Sequence, residues 1–309
     1  MKKNSFTKIS ENVSSAVSVG DAGFERFLGN GGASNEEEIS AFLAEMMKNP
    51  EGLRISVDGT GCSTMQANVG SGFCFGRNFD WEDYTLLVLT SYPDNGYASV
   101  SCVNTDFIDQ TFGRLTEEAL VLAAHYAPLD GMNEKGLCIS VNQLPDGMSL
   151  HQNTGKDNLT ITTAIRLLLN RAASTEEAVE LLRQYDLHTF RHMIFHYMIA
   201  DAAGHSVCVE YIDNRMSVIE TPVVTNHYMT PGPYFGQGRG NSQQRFDVLS
   251  EALAAKDVMA PGDVFPAMER ARQNHTQWTV IYDQSALTAE VRPKTDGYQP
   301  LSFALNSSL

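Results

Sequence analysis

Positive charge is scarce in this sequence. Lysine and arginine number 22 against 37 aspartates and glutamates, for a formal net charge of −15. Such a surface is repelled by phosphate backbones and anionic bilayers, which excludes nucleic acid and acidic membranes as partners. Long apolar runs are lacking as well. No stretch approaches the roughly 20 apolar residues that span a bilayer, so stable membrane insertion is not expected. The start, Met-Lys-Lys-Asn-Ser-Phe-Thr-Lys, is basic but lacks the apolar run of a secretory signal, and the expectation is a cytoplasmic protein. Cysteine is sparse: Cys62, Cys74, Cys102, Cys138 and Cys208 form no C-x-x-C pair. That sets aside a zinc ribbon and a disulfide framework, and no metal or other cofactor is expected. There is no internal repeat and no low-complexity tract.

What is present is a chain of 309 residues, 42% hydrophobic, ample for a large core. Residues 1–34 are polar and rich in Gly, Ser and Asn, which predicts a loose arm with one short helix at most. Asn35 and Glu38 are spaced as a capping box before the stripe Ile39, Phe42, Leu43 and Met46. This helix is expected either to pack on the main domain or to plug a site. Leu53 to Val57 alternates like a strand, and Asp58-Gly59-Thr60-Gly61 reads as a turn. Strands are expected at 62–68, 72–79, 86–90, 98–103 and 137–142, with a helix at 115–125 and a turn at 131–136. The middle is helical: 160–171, then a helix capped by Ser174 and Glu177. A hairpin over 193–200 and 206–212, turning at Asp201 to Gly204, is followed by a strand at 216–220 and a Gly/Pro-rich loop at 231–240. Helices at 242–255 and 263–272 precede strands at 277–282, 286–291 and 301–305. Strands and helices come in blocks rather than in βαβ alternation. The fold class is therefore α+β, with antiparallel sheets and helices segregated in layers.

Four cysteines sit in apolar, strand-like runs and read as core. Cys62 differs, with Gly before it and Ser63-Thr64 after it. A thiol with a pKa of about 8.5 is mostly protonated at neutral pH and needs a base. A histidine is one source. The other is a free α-amino group, with a pKa of about 8, on the cysteine itself. Cutting the chain between Gly61 and Cys62 would create that amine. Gly61, without a Cβ, could adopt a strained conformation that offers its carbonyl to the thiol. On the dipeptide alone, an ordinary turn-to-strand junction is the favoured account. Arg77 and Asp80 lie on the strand expected to pair beside Cys62: the arginine would favour a thiolate and the aspartate would hold an α-ammonium, unless the two form a plain structural ion pair.

The run from Cys62-Ser63-Thr64 to Gly76-Arg77-Asn78-Phe79-Asp80-Trp81 resembles the start of mature choloylglycine hydrolase-type enzymes. These are linear amide C–N hydrolases of the N-terminal nucleophile (Ntn) class, among them bile salt hydrolases and penicillin V acylases, with N-acylethanolamine acid amidase and acid ceramidase more distant. Asp130 to Leu137, Val141-Asn142, Val224-Thr225-Asn226, Asn241 to Phe246 and Gln277 to Asp283 follow in the family's order. The resemblance covers residues 62 to about 292. It implies an αββα sandwich of two stacked antiparallel sheets. It implies Cys62 as nucleophile, its α-amine as proton shuttle, Asn142 and Asn226 as oxyanion donors, and Arg77, Asp80 and Arg245 as the charges around thiol and amine. Phe79 and Trp81 are candidates to line an acyl pocket or to belong to the core.

Bile salt hydrolases commonly lose little more than the initiator methionine, whereas 61 residues precede Cys62 here. Residues 1–61 are accordingly expected to be a prosegment removed by autocleavage at Gly61-Cys62, and residues 62–309 the catalytic domain. The expected activity is hydrolysis of N-acyl amides with lipophilic acyl groups, such as fatty-acid amides and N-acyl amino acids, by a homo-oligomer acting on a small-molecule substrate. Conjugated bile salts or penicillin V are the alternative substrates. A papain-like dyad would need His205, His227 or His275. A non-catalytic binding protein of the same fold is the reading from another class. His192 and His196 are four apart but lack the glutamate of a zinc-protease helix, and Gly236-x-Gly238-x-Gly240 lacks the ending of a phosphate loop.

Overall fold

The computed structural model describes residues 2–48, 53–55, 61–110, 115–145, 149–189, 193–294 and 299–305. The turn expected at 58–60 and His192 lie outside them. In chain order the elements begin with β1 (Ser5–Lys8), β2 (Val13–Val19), α1 (Phe24–Gly29), α2 (Glu36–Met47), β3 (Leu53–Ile55), β4 (Gly61–Asn68), β5 (Phe73–Asp80), β6 (Leu86–Tyr92), β7 (Ser99–Asn104) and β8 (Ile108–Gln110). Then come α3 (Glu117–Ala124), β9 (Asp130–Asn133), β10 (Cys138–Gln143), β11 (Asn158–Thr160), α4 (Ile161–Arg171), α5 (Thr175–Leu182), β12 (Asp186–His188), β13 (Phe195–Ala200), β14 (Ser206–Ile212) and β15 (Arg215–Glu220). The chain closes with β16 (Val223–Val224), α6 (Ser242–Ala254), α7 (Val264–Arg270), β17 (Thr276–Asp283), β18 (Thr288–Pro293) and β19 (Leu301–Ala304).

Two large sheets result: nine strands in the order β1-β2-β6-β7-β9-β10-β13-β14-β15, and six in the order β16-β4-β5-β17-β18-β19. They stack where β4 meets β10. Helices α4 and α5 cover the outer face of the larger sheet, and α6 and α7 that of the smaller. Strands in the middle of such a sandwich are covered on both faces. Hence β9 and β10 are buried throughout, whereas the edge strand β15 is largely not. Among the described residues no helix is long and apolar enough to cross a membrane.

Three expectations change. Residues 1–34 are no loose arm: β1 and β2 enter the larger sheet, and Val13, Phe24 and Phe27 are buried. Pairing is antiparallel throughout both large sheets except between β2 and β6, which run parallel from Val13↔Leu86 to Val19↔Tyr92. The stretch expected as a turn at 131–136 begins as strand β9, because Gly131 and Met132 pair with both β7 and β10. Gly131 is required there, since a Cβ would lie 2.7 Å from the Val100 carbonyl oxygen. Asn35 does cap α2, accepting from the Glu38 amide at 2.9 Å, and Ile39 and Leu43 turn fully inward, so the helix packs on the domain.

Candidate active site

Gly61 and Cys62 open β4, whose antiparallel register with β5 sets Gly61 opposite Asp80, Cys62 opposite Phe79 and Thr64 opposite Arg77. On the other side of β5, a bulge in β17 between Thr276 and Trp278 shifts the register and aims Thr276 at Asp80. The Thr276 hydroxyl donates to Asp80 Oδ1 at 2.5 Å.

The Cys62 sulfur is buried and lies 3.1 Å from Arg77 Nη2. Arg77 is itself fully buried. It also donates to the Val141 carbonyl at 3.0 Å and is ion-paired to Asp130, which accepts from the Tyr282 hydroxyl as well. Burial alone would lower the pKa of Arg77, but Cys62 and Asp130 outweigh it and raise it above its ordinary value. A permanent cation therefore faces the thiol. The partner of Arg77 is Asp130, across the sandwich, not Asp80.

Asp80 does different work. Burial raises its pKa, opposed by Arg245 and by the Thr276 hydrogen bond. Its Oδ2 lies 3.5 Å from Arg245 Nη1, too far for a hydrogen bond, and is buried without a hydrogen-bond partner among the described residues. A Cβ on Gly61 would lie 3.2 Å from the Asp80 Cβ, so glycine supplies room at this junction. The expected backbone strain at Gly61 is not found: the residue is ordinary extended strand.

Arg245, from the first turn of α6, donates to the Cys62 carbonyl at 2.6 Å, to Ser63 Oγ at 3.1 Å and to Asn226 Oδ1 at 2.8 Å. Burial lowers its pKa, with Asp80 and Cys62 opposing. Asn226 Oδ1 also accepts the Cys62 backbone N–H at 2.9 Å, and its Nδ2 donates to the Gln143 carbonyl at 2.7 Å. The structure thus gathers Cys62, Arg77, Asp80, Asn226 and Arg245 around one peptide bond.

Asn142 stands one layer back. Its Nδ2 donates to the carbonyls of Val224 and Thr225 at 3.1 and 3.3 Å, and its Oδ1 accepts from Thr64. It supports the segment that leads from β16 into Asn226 and is not among the residues that line the cleft. Phe79 is a core residue rather than a pocket residue: it is fully buried and stacked on Trp278 at 3.9 Å. Trp81 does reach the surface of the site. A cleft of about 610 Å³ is lined by Gly61, Asp80, Trp81, Gln143, Asn226 and Arg245, together with Glu82, Arg239, Gly240, Asn241, Gln273 and His275. Most of these residues are polar or charged.

Of the histidines considered for a papain-like dyad, His205 is exposed beside Asp201. His227 Nδ1 is engaged with Thr225 and Ser242, and His275 lines the cleft. The other four cysteines are buried. Burial pushes the Cys74 thiol up to about 12, and those of Cys102, Cys138 and Cys208 well above their ordinary value, so they stay protonated.

Sequence reasoning gave no role to Asp130, met only as the head of the 130–137 run, or to Gln143 and the pair His196–Glu210. Asp130 and Gln143 owe their places to sheet stacking, which has no local signature. His196 and Glu210 do have one: the hairpin register of β13 and β14, Tyr197↔Val209, sets them side by side.

Two stacked sheets between helical layers, with a cysteine at the head of an inner strand, define the Ntn-hydrolase fold. Solved structures with it include a mutant conjugated bile acid hydrolase from Clostridium perfringens (TM-score 0.57, 17% identity, covering 79% of this chain and 92% of that one). Penicillin V acylase from Agrobacterium tumefaciens is similar (TM-score 0.55, 19% identity, 78% and 84% covered). The bile salt hydrolase/transferase of Clostridium perfringens (strain 13 / Type A) is 29% identical over 223 residues, 62% of this chain and 64% of that protein's length. Residues 62–267 match the profile of the linear amide C-N hydrolases, choloylglycine hydrolase family, and the chain belongs to that family.

Proposed function

We propose that this chain is the precursor of a cysteine amidase that activates itself by cutting between Gly61 and Cys62. The observation that carries the reading is the buried, unmated Asp80 Oδ2 beside that junction. A carboxylate in this position gains a partner when an α-ammonium appears on Cys62. In the first step the Cys62 sulfur adds to the Gly61 carbonyl carbon, the C–N bond breaks, and the departing nitrogen takes a proton to become the α-amine. Water hydrolyses the resulting thioester, releasing the Gly61 carboxylate and the free thiol.

In the mature enzyme the α-amine takes the thiol proton and the sulfur attacks the substrate amide carbonyl. The same proton passes to the leaving amine, and water then releases the acid from the thioester. Arg77 favours the thiolate. Asn226, beside the Cys62 backbone, serves as the oxyanion donor, with Asn142 supporting it from behind. Arg245 orients both Asn226 and the Cys62 backbone. The substrate class is an N-acyl amide with a lipophilic acyl group, such as a fatty-acid amide or an N-acyl amino acid, whose polar half suits the polar cleft. Conjugated bile salts or penicillin V form the second reading, favoured by the names of the relatives.

Intact-mass spectrometry and N-terminal sequencing test the proposal. A fragment beginning at Cys62 is expected in the wild type, and an uncut, inactive chain in Cys62→Ala. Amidase turnover by a chain whose Gly61–Cys62 bond is whole would overturn it. A stable full-length chain without activity would favour a binding protein of this fold.

A further inference from the structure

Behind Asn226 lies a buried cluster that the reaction above does not use. His196 on β13 and Cys208 and Glu210 on β14 place one ligand-type atom each within 4.8 Å of one another. Its hydrogen bonds fix where the protons are. Glu210 Oε1 accepts the Met229 N–H at 2.8 Å, and Oε2 accepts the N–H and hydroxyl of Thr230 at 2.9 and 2.6 Å. Three donors on one carboxyl group favour its ionised form. His196 Nδ1 lies 2.9 Å from Glu210 Oε1, and Nε2 lies 2.7 Å from the Thr225 carbonyl oxygen. Neither a carboxylate nor a carbonyl has a proton to give, so the two short contacts, at 2.9 and 2.7 Å, each call for a proton from the ring; the Cys208 thiol, 3.3 Å from Nδ1, is the other proton-bearing group there.

We propose that His196 is a buried imidazolium, balanced by Glu210, which acts as a positioning residue by clamping the peptide unit that carries Asn226. The idea rests on the proposed function, because Asn226 matters through its contact with Cys62. The clamp is two-ended. The oxygen of the Thr225–Asn226 peptide receives His196 Nε2 and, at 3.3 Å, Asn142 Nδ2. The nitrogen of the same peptide donates to Ser242 Oγ at 2.7 Å. A planar peptide held at both poles has no rotation left to it, which fixes the origin of the Asn226 side chain. The Asn226 Oδ1 then meets the Cys62 N–H.

The groups facing the His196 ring are Glu210 and Cys208 from β14, with Cys208 Sγ 3.3 Å from Nδ1, and His227 from the segment after β16. His, Cys and Glu can also ligate a metal ion. Here the closest pair sits at hydrogen-bond distance, and Glu210 is already occupied by backbone and hydroxyl donors.

Nitrogen-resolved NMR of the full-length protein tests the protonation directly. Two slowly exchanging ring N–H signals are expected for His196. Glu210→Gln should reduce them to one, because the amide can donate to Nδ1 while Nε2–H stays on Thr225. The same variant should lower kcat by roughly 10- to 100-fold with little change in KM, as for partners that orient a reacting group. One ring N–H in the wild type would overturn the proposal, as would a stoichiometric metal in elemental analysis or an unchanged kcat in Glu210→Gln. A wild type that is neither cut nor active, yet shows both signals, would instead sink the amidase reading and leave the imidazolium standing.

Discussion

Phe27 is the most informative residue of the segment ahead of Cys62. Its ring lies 5.7 Å from Phe24, 5.4 Å from Phe42 and 5.3 Å from Tyr126, all buried, and Tyr126 belongs to the body of the protein beyond the cleavage point. Around it, Arg171 Nη2 donates to both carboxylate oxygens of Glu25, Tyr126 donates to the Ala22 carbonyl, and His125 bonds to Ser18. Cutting at Gly61 leaves these contacts in place, so the segment is expected to stay on as a non-covalent subunit instead of being removed. Truncating Phe27 to alanine loses the transfer energy of the ring and leaves a cavity, together about 3–5 kcal/mol. In cut protein that loss falls on association: at 1.4 kcal/mol per tenfold, the fragment should be held roughly 100- to 4,000-fold more weakly. In uncut Cys62→Ala the same change should lower stability without releasing anything. Size-exclusion chromatography over a dilution series, read by intact mass, measures both. Release of the wild-type segment on gentle dilution, with unchanged activity and melting, would refute the reasoning.

Asp80→Asn should leave the uncut chain intact while reducing amidase turnover by roughly 100-fold or more. Because the folded pKa of Asp80 is raised, its contribution to stability is present below the unfolded value and lost as pH rises. In a Cys62→Ala background, thermal melts should therefore shift in favour of Asp80→Asn as pH rises above the ordinary carboxylate value of about 4. Glu210 behaves in the opposite sense. Burial pushes it up, but His196, Thr230 and Met229 outweigh that and bring it from 4.5 to about 2. Its stabilisation, about 3 kcal/mol by linkage, is complete above about pH 4.5 and lost as pH falls through about 2, and acid denaturation of Glu210→Gln should lack that limb. Phe79→Leu should cost about 1 kcal/mol or more of stability and leave KM alone, whereas Trp81→Ala should raise KM with stability changed by less than about 1 kcal/mol.

The strands that present the site were legible because their signals are local. Gly70 and Gly72 mark the turn between β4 and β5, and the ordered run from Cys62 to Trp81 stands on it. The segment before Cys62 was not legible. β2 reads Val-Ser-Ser-Ala-Val-Ser-Val, too polar to announce a buried strand, yet Ser14 and Ser18 are buried because β1 and β6 flank it. Its parallel pairing with β6 joins residues about 70 apart and leaves no trace in either run. The chemistry divided in the same way. Arg77 and Asp80 are three apart on one strand, which suggested a pair, but the stacked sheet gives Arg77 its partner Asp130, while β17 and α6 bring Thr276 and Arg245 to Asp80. Asn142 was placed in the right neighbourhood, but its contacts with the Val224 and Thr225 carbonyls, which depend on β16 in the other sheet, were not legible.

The parallel seam between β2 and β6 has a consequence for anyone expressing this enzyme. A gene opened at codon 62, so that initiator removal alone uncovers the cysteine, would yield a chain whose β6 flank is bare. Seven residues of unsatisfied main chain would invite a second molecule to zip alongside. Such a shortcut should give inclusion bodies rather than a ready-made amidase, and supplying residues 1–61 in trans should rescue it.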